Sequence, residues 1–468
     1  MTRQTNGALT VLRQPLPGAV IQRDGRDGDI PLLLDAAHKG ALYGRLRKGR
    51  NPVRGFNWRK VGAADGTTAQ GVVKDVPVGG QYTLDIELRT ARGKVIGSAT
   101  ARNLLVGDLW IIGGQSNMDG WGKLVGTEPP SPVVHAFYYD DRWDVALDPL
   151  CWHSEAVDRV HWPVPEEQLA EAAKNDRRFR QAGAGPAVAF GKAIYRDTGI
   201  PVGLIVCSHG GTSMDQWSPA KASEGGGSFY GSMLRRVKAV GGTVTGMIWY
   251  QGESDANKDG QPKYREKMRN FVAAVRRDLD ARKLPFIYVQ IGCFFAGAEL
   301  AEAWNRLQAD QLVLEDELAP AAMASAIDLG LDDGIHIGTA SQRRLGRRLA
   351  YLAGMLVYGK RPRRRGPRPA EMSFADQGRK ALRVRFADVN GGLRPRRPLR
   401  GFWAKKDGKD LAIVSQVVDS RRLDTVVLTF EEPVPPGSSL WYGYGISPAA
   451  NLVDGADLAA PVFGPVTI

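Results

Sequence analysis

V-G-D-L-W-I-I-G-G-Q-S-N-M, at residues 106–118, is an apolar run that stops at two glycines and then presents a serine. A run of this kind reads as a buried strand ending in a tight turn. Gly113 and Gly114 permit backbone angles and close approaches that a side chain would block, so Ser116 stands at the strand's carboxyl end with its hydroxyl free. The same residues alone read equally well as a Ser/Asn turn or a helix N-cap. The weight therefore comes from what surrounds them.

Downstream, apolar runs at 201–207, 244–250, 286–291 and 322–327 alternate with helical patterns at 186–196, 228–240, 263–283, 299–317 and 341–358. Tyr264, Met268, Phe271, Val272, Val275 and Leu279 recur at helical spacing, as do Leu345, Leu349, Leu352 and Leu356, whose intervening arginines fit a solvent face. Strands alternating with helices predict an α/β domain with a mainly parallel sheet over 106–359, interrupted by an insertion at about 119–184. Before it, the alternation of Tyr82, Leu84, Ile86 and Leu88 and the turn clusters at 24–28 and 78–80 predict a β-sandwich-like domain over 1–105. After it, K-R-P-R-R-R-G-P-R-P at 360–369 reads as a solvated basic linker, and alternation at 382–386 and 426–430 predicts a β-rich domain over 370–468.

The 468 residues are enough for two or three domains, and 43% apolar with 24% charged residues is ordinary for a globular chain. No apolar run approaches the ~20 residues of a membrane span. The first seven residues, M-T-R-Q-T-N-G, lack the apolar core of a signal peptide; the chain reads as cytoplasmic, or as secreted or periplasmic if an export segment is missing from it. Oligomeric state is not legible. Cys151, Cys207 and Cys293 are widely spaced and read as buried thiols. The net charge of +13 is concentrated near the linker and comes with no nucleic-acid-binding motif, so no nucleic-acid partner is expected.

Ligands of a parallel sheet bind beyond the carboxyl ends of its strands. Four polar clusters fall there: Ser116, Gly210-Gly211, Gln251 to Asp255, and Asp333 to His336. Together they supply the parts of acyl transfer. Ser116 is the nucleophile, His336 the base suited to activating it, and Asp333, three residues earlier, the carboxylate that orients the imidazole, with Asp332 the weaker choice. The N–H groups of Ser116 and of Gly210 or Gly211, and the Gln251 amide, are candidate oxyanion donors; Glu253 anchors its loop. His209 reads as a hydrogen-bonded loop residue, and His153 and His161 lack metal-site spacing, so neither metal nor cofactor is expected. Trp121, Trp143, Trp152 and Trp162 of the insertion are divided evenly between packing and stacking on a sugar. Trp217, after the glycine turn, is the better placed to line a pocket.

Gly114-Gln-Ser-Asn-Met118, Gly210-Gly-Thr212, Trp249-Tyr-Gln-Gly-Glu-Ser-Asp255 and Asp333-x-x-His336 resemble the sialate O-acetylesterases, which are SGNH hydrolases. The resemblance implies a three-layer α/β/α sandwich with a mainly parallel five-stranded sheet. It implies the same Ser116–His336–Asp333 triad, a substrate-binding or loop-anchoring role for Asn117, and an O-acetylated carbohydrate as substrate: a sialic acid, or in related esterases a xylan or pectin sugar. A carbohydrate-binding protein without catalysis is the competing class, and the complete triad argues against it.

Overall fold

The computed structural model describes residues 5–359, 363–395 and 398–468. Residues 1–4, and residues 360–362 of the expected linker, lie outside them. One strand of 20 residues, Val95–Gly114, is the axis of the molecule. Its first part pairs antiparallel with Gly79–Arg89; its last part runs parallel between Val202–Val206 and Gly246–Tyr250. Burial alternates from Val95 to Ala101 and becomes unbroken from Leu104 onward, as a strand covered on one face enters a sheet covered on both. The expected boundary at 105/106 falls inside this strand. Asp108, wholly buried, accepts from Arg23 Nε (2.7 Å), Thr245 Oγ1 (3.0 Å) and Tyr358 Oη (2.7 Å), so the sheet is tied to the N-terminal domain and to the end of the last helix.

Among the described residues, six strands of the α/β region run parallel where five were expected, in the order Val134–Phe137, Val202–Val206, Val95–Gly114, Gly246–Tyr250, Phe286–Gln290 and Ala321–Ser325. The additional one, V-H-A-F, lies in the stretch read as an insertion and is too short for its period to show. Trp110 meets Phe190 of the helix Ala187–Thr198, whereas Trp249 meets Phe271 of the helix Gln261–Asp278. Trp110 aligns with Gly246, and Trp249 with Gly113. Because side chains alternate along strands, the two helices cover opposite faces.

Among the described residues the N-terminal strands pair antiparallel except Val20–Gln22, which runs parallel to Val95–Gly114; Thr5–Gly7 returns to pair with the start of that long strand, and Leu34, Leu42, Leu84 and Ile86 are buried between them. The C-terminal domain has two four-stranded antiparallel sheets. Val462 exchanges hydrogen bonds with Gln290, which docks this domain on the parallel sheet.

Within the described part of the basic stretch, several arginines are paired rather than solvated. Arg368 opens the strand Arg368–Phe374 and is buried against Glu315, while Arg365 pairs with Asp316 and Asp388. Nor do all arginines of the last helix, Thr339–Ala353, face solvent: Arg348 is buried on Asp328, and Arg344 pairs with the same carboxylate. Much of the positive charge is thus neutralised internally. Cys151 and Cys207 are buried and Cys293 is half-buried; all three are free thiols. No helix among the described residues is long and apolar enough to cross a membrane.

Asp148 offers a pH test of the fold. Burial, reinforced by the charge of Glu128 and opposed by the Gly185 N–H, pushes its carboxyl up to about 7. The folded chain therefore binds a proton that the unfolded chain has already released, and stability falls as pH rises from ~4 to neutrality. Asp148→Asn removes that slope. Its thermal midpoint should exceed the wild type's at pH 8 by the equivalent of up to ~4 kcal/mol and match it at pH 4.

Candidate active site

Gly114 has φ +130° and lies against Tyr250, whose carbonyl oxygen would be 2.1 Å from an added Cβ. Only glycine fits, and the chain turns directly into the one-turn helix Ser116–Asp119. As the first residue of that helix, Ser116 has an N–H without an intrahelical acceptor. The Gln115 side chain fixes the neighbouring strand end by accepting from Gly252 N and Ser254 N, both at 3.3 Å.

Ser116 lines a cavity of about 510 Å³ together with His336, Trp121, His209, Gly210 and Glu253. His336 Nδ1 lies 2.7 Å from Asp333 Oδ2, and Asp333 Oδ1 accepts from the N–H groups of Ile335 (2.8 Å) and His336 (2.7 Å). Burial works to raise the Asp333 carboxyl, but these donors outweigh it and hold it below the usual carboxylate range. The ionised carboxylate thus fixes Nε2 as the nitrogen free to work as a base.

Asn117 joins the serine turn to the Asp/His loop. It donates to Glu253 Oε1 (2.8 Å) and to the Ile335 carbonyl (3.3 Å), and accepts from Ile337 N (2.9 Å). Glu253 is half-buried as a residue but its carboxyl is enclosed, which raises it, while the Asn117 hydrogen bond works against the shift. Gly210 lies directly over Ser116: a Cβ there would be 3.7 Å from that of the serine. His209 N donates to the Gly114 carbonyl at 2.9 Å and so holds the glycine turn beside the serine.

Two expected site residues lie elsewhere. Gln251 is wholly buried and spends its amide hydrogens on the Thr212 carbonyl (3.1 Å) and Asp255 Oδ2 (2.6 Å), so it is a brace for the glycine loop rather than an oxyanion donor. Trp217 is wholly buried against Trp249 and Phe229 and donates to Thr212 Oγ1, so it packs the core beneath that loop and does not line the pocket. Of the insertion's tryptophans, Trp121 reaches the cavity. Its ring stacks on His336 with centroids 4.9 Å apart and is 43% exposed. Trp143 is core, Trp152 lies under Arg177, and Trp162 is tied to the Ala156 carbonyl.

Sequence spacing also missed Asp119, His153 and His209 as neighbours in the pocket wall. His153 Nε2 is 3.1 Å from Asp119 Oδ1, and His161 Nδ1 is 3.3 Å from His209 Nδ1. Burial, and the charge of the adjacent His153, push the His209 imidazole down to about 4.

A serine at a strand end, an imidazole–carboxylate pair and a glycine turn gather around one cavity, and comparison with known proteins gives the class as carbohydrate esterase. Residues 106–353 match the family described as carbohydrate esterase, sialic acid-specific acetylesterase, and the chain belongs to that family. A probable carbohydrate esterase of Arabidopsis thaliana is 28% identical over 253 residues, which cover 52% of this chain and 88% of that one. The sialate O-acetylesterase of Homo sapiens is 26% identical over 179 residues, spanning 33% of this chain and only 32% of the human protein. In three dimensions, a carbohydrate acetylesterase from Xanthomonas citri superposes with a TM-score of 0.67 over 97% of this chain and 99% of that one, at 23% identity, so the whole domain arrangement recurs there.

Proposed function

We propose that the chain removes O-acetyl groups from sialic acid or a closely related sugar through a Ser116–His336–Asp333 triad. Ser116 Oγ attacks the acetyl carbonyl as His336 Nε2 takes its proton, and Asp333 stabilises the imidazolium. The N–H groups of Ser116 and Gly210 receive the oxyanion. Collapse expels the sugar oxygen, which takes the proton from His336, and leaves an acetyl group on Ser116. Water deprotonated by the same imidazole then releases acetate. The observation that carries this reading is the 2.7 Å Asp333–His336 contact in the cavity that Ser116 lines. The succession of serine, glycine turn and Asp/His loop at parallel strand ends also favours an SGNH-type domain.

The family description and the human relative favour sialic acid as the sugar. A deacetylase of xylan or pectin is the second reading, supported by the open position of Trp121 beside His336, where an indole face suits a pyranose ring. Acetate release from O-acetylated sialic acids, acetyl-xylan oligomers and acetylated pectin fragments decides between them. The expected result is turnover fastest on the sialic acids. Faster release from the polysaccharide fragments would transfer the assignment to them, and no release from any of the three would defeat the esterase reading.

A further inference from the structure

His153, His161 and His209 come from three separate points in the chain, yet one ring nitrogen of each lies within 4.8 Å of the others. We propose that these three imidazoles form a site for a divalent transition-metal ion of the zinc class in the wall of the cavity, with Asp119 as the anion beside it.

The tautomer of His161 follows from its neighbours. Ser232 Oγ gives its only proton to Asp158 Oδ2 at 2.6 Å, so towards His161 Nε2, 3.1 Å away, it can only accept. The ring proton therefore sits on Nε2, and the Nδ1 lone pair points to His209 Nδ1 at 3.3 Å. That separation is long for an N–H hydrogen bond. It matches the edge of a tetrahedron whose metal–nitrogen bonds are about 2.0–2.1 Å. His153 completes the group, its ring centroid 4.4 Å from that of His209.

Asp119 is the second, independent observation. It is 2% exposed and faces His153 Nε2, 3.1 Å from its Oδ1, with the Cys151 thiol on its other side. An ionised carboxylate in so buried a position is costly. A dication held by the imidazoles offsets that cost, and a carboxylate behind a ligating histidine is the outer shell that such ions favour. Imidazole donors suit zinc, copper or nickel rather than magnesium or calcium. Cys151 also lies close to Asp119 and His153, but its sulfur contacts Ser208 Oγ at 3.5 Å and stands outside the ligand set. The ion would tie His153 and His161 to the residue before Gly210, bracing the turn that stands over Ser116.

The test reads metal rather than turnover and so stands apart from the esterase assignment. The full-length chain is stripped with dipicolinate and titrated with Zn²⁺ by calorimetry and with Co²⁺ by visible absorption. Expected are one ion per chain, an intense four-coordinate Co²⁺ band without a cobalt–thiolate band, and a rise in thermal midpoint with added Zn²⁺. His161 is wholly buried and its replacement endangers folding, so His153→Gln, on the cavity wall, is the ligand variant of choice. It should weaken Zn²⁺ binding by more than ~100-fold, and Asp119→Asn by ~10- to 100-fold. Absence of saturable Zn²⁺ binding to the folded stripped chain, or unchanged affinity in His153→Gln, overturns the site. A cobalt–thiolate band overturns the imidazole ligand set.

Discussion

Ser116→Ala should lower kcat for acetate release by roughly 10⁴- to 10⁶-fold while leaving substrate affinity nearly unchanged. The hydroxyl stands at the end of the central strand beneath the Gly210 turn, and alanine removes it while keeping the Cβ that faces that turn. Asp333→Asn tests the same machinery one step removed. Asparagine keeps an oxygen for the Ile335 and His336 N–H groups, but its amide no longer selects the imidazole tautomer, and kcat should fall by ~10²- to 10⁴-fold.

The charge state of the carboxylate follows from its donors. Asp333 is held below the usual carboxylate range. Its stabilising contribution is therefore complete above that range and is lost only as pH falls through its lower native value. Across an ordinary assay range it stays ionised, so the charge that orients the imidazole is lost by Asp333→Asn rather than by mild acidification. A Ser116→Ala protein that kept near wild-type turnover, free of contaminating esterase, would sink the triad assignment.

Local patterns carried far. The run into Gly113 and Gly114, the helical stripe from Tyr264 to Val275 and the Asp333–His336 spacing are all visible along the chain, because each is decided within a few residues by burial or by one turn of backbone. What stayed hidden depends on which face of an element meets which distant neighbour. Gln251 and Trp217 sit beside the right motifs, yet Thr212, Asp255 and Trp249 turn both side chains into the interior. Trp121 could not be told from Trp143 or Trp152 until the His336 loop was placed against it. The arginines show the same limit in electrostatics: composition reads Arg348 and Arg368 as solvated charge, whereas their carboxylates, Asp328 and Glu315, come from other elements altogether.

Glu315→Ala should lower stability by about 3–5 kcal/mol, read as a fall in the midpoint of thermal or urea unfolding. Glu315, on the helix Ala301–Glu317, is 3% exposed and takes a bidentate pair of bonds from Arg368 (Nε 2.7 Å, Nη2 2.8 Å) and one from Met323 N (2.8 Å). Arg368 in turn donates to the Met323 carbonyl at 2.7 Å. One ion pair thus joins a helix, the edge strand Ala321–Ser325 and the first strand of the C-terminal domain. Removing the carboxylate leaves a buried guanidinium and a strand N–H unpaired, which costs far more than the intact pair contributes. The double variant Glu315→Leu with Arg368→Met removes both charges and fills the space with apolar atoms, so it should recover most of the lost stability. If it were instead as unstable as the sum of the two single variants, the loss would lie in packing and docking rather than in a stranded charge, and the electrostatic account of this junction would fail.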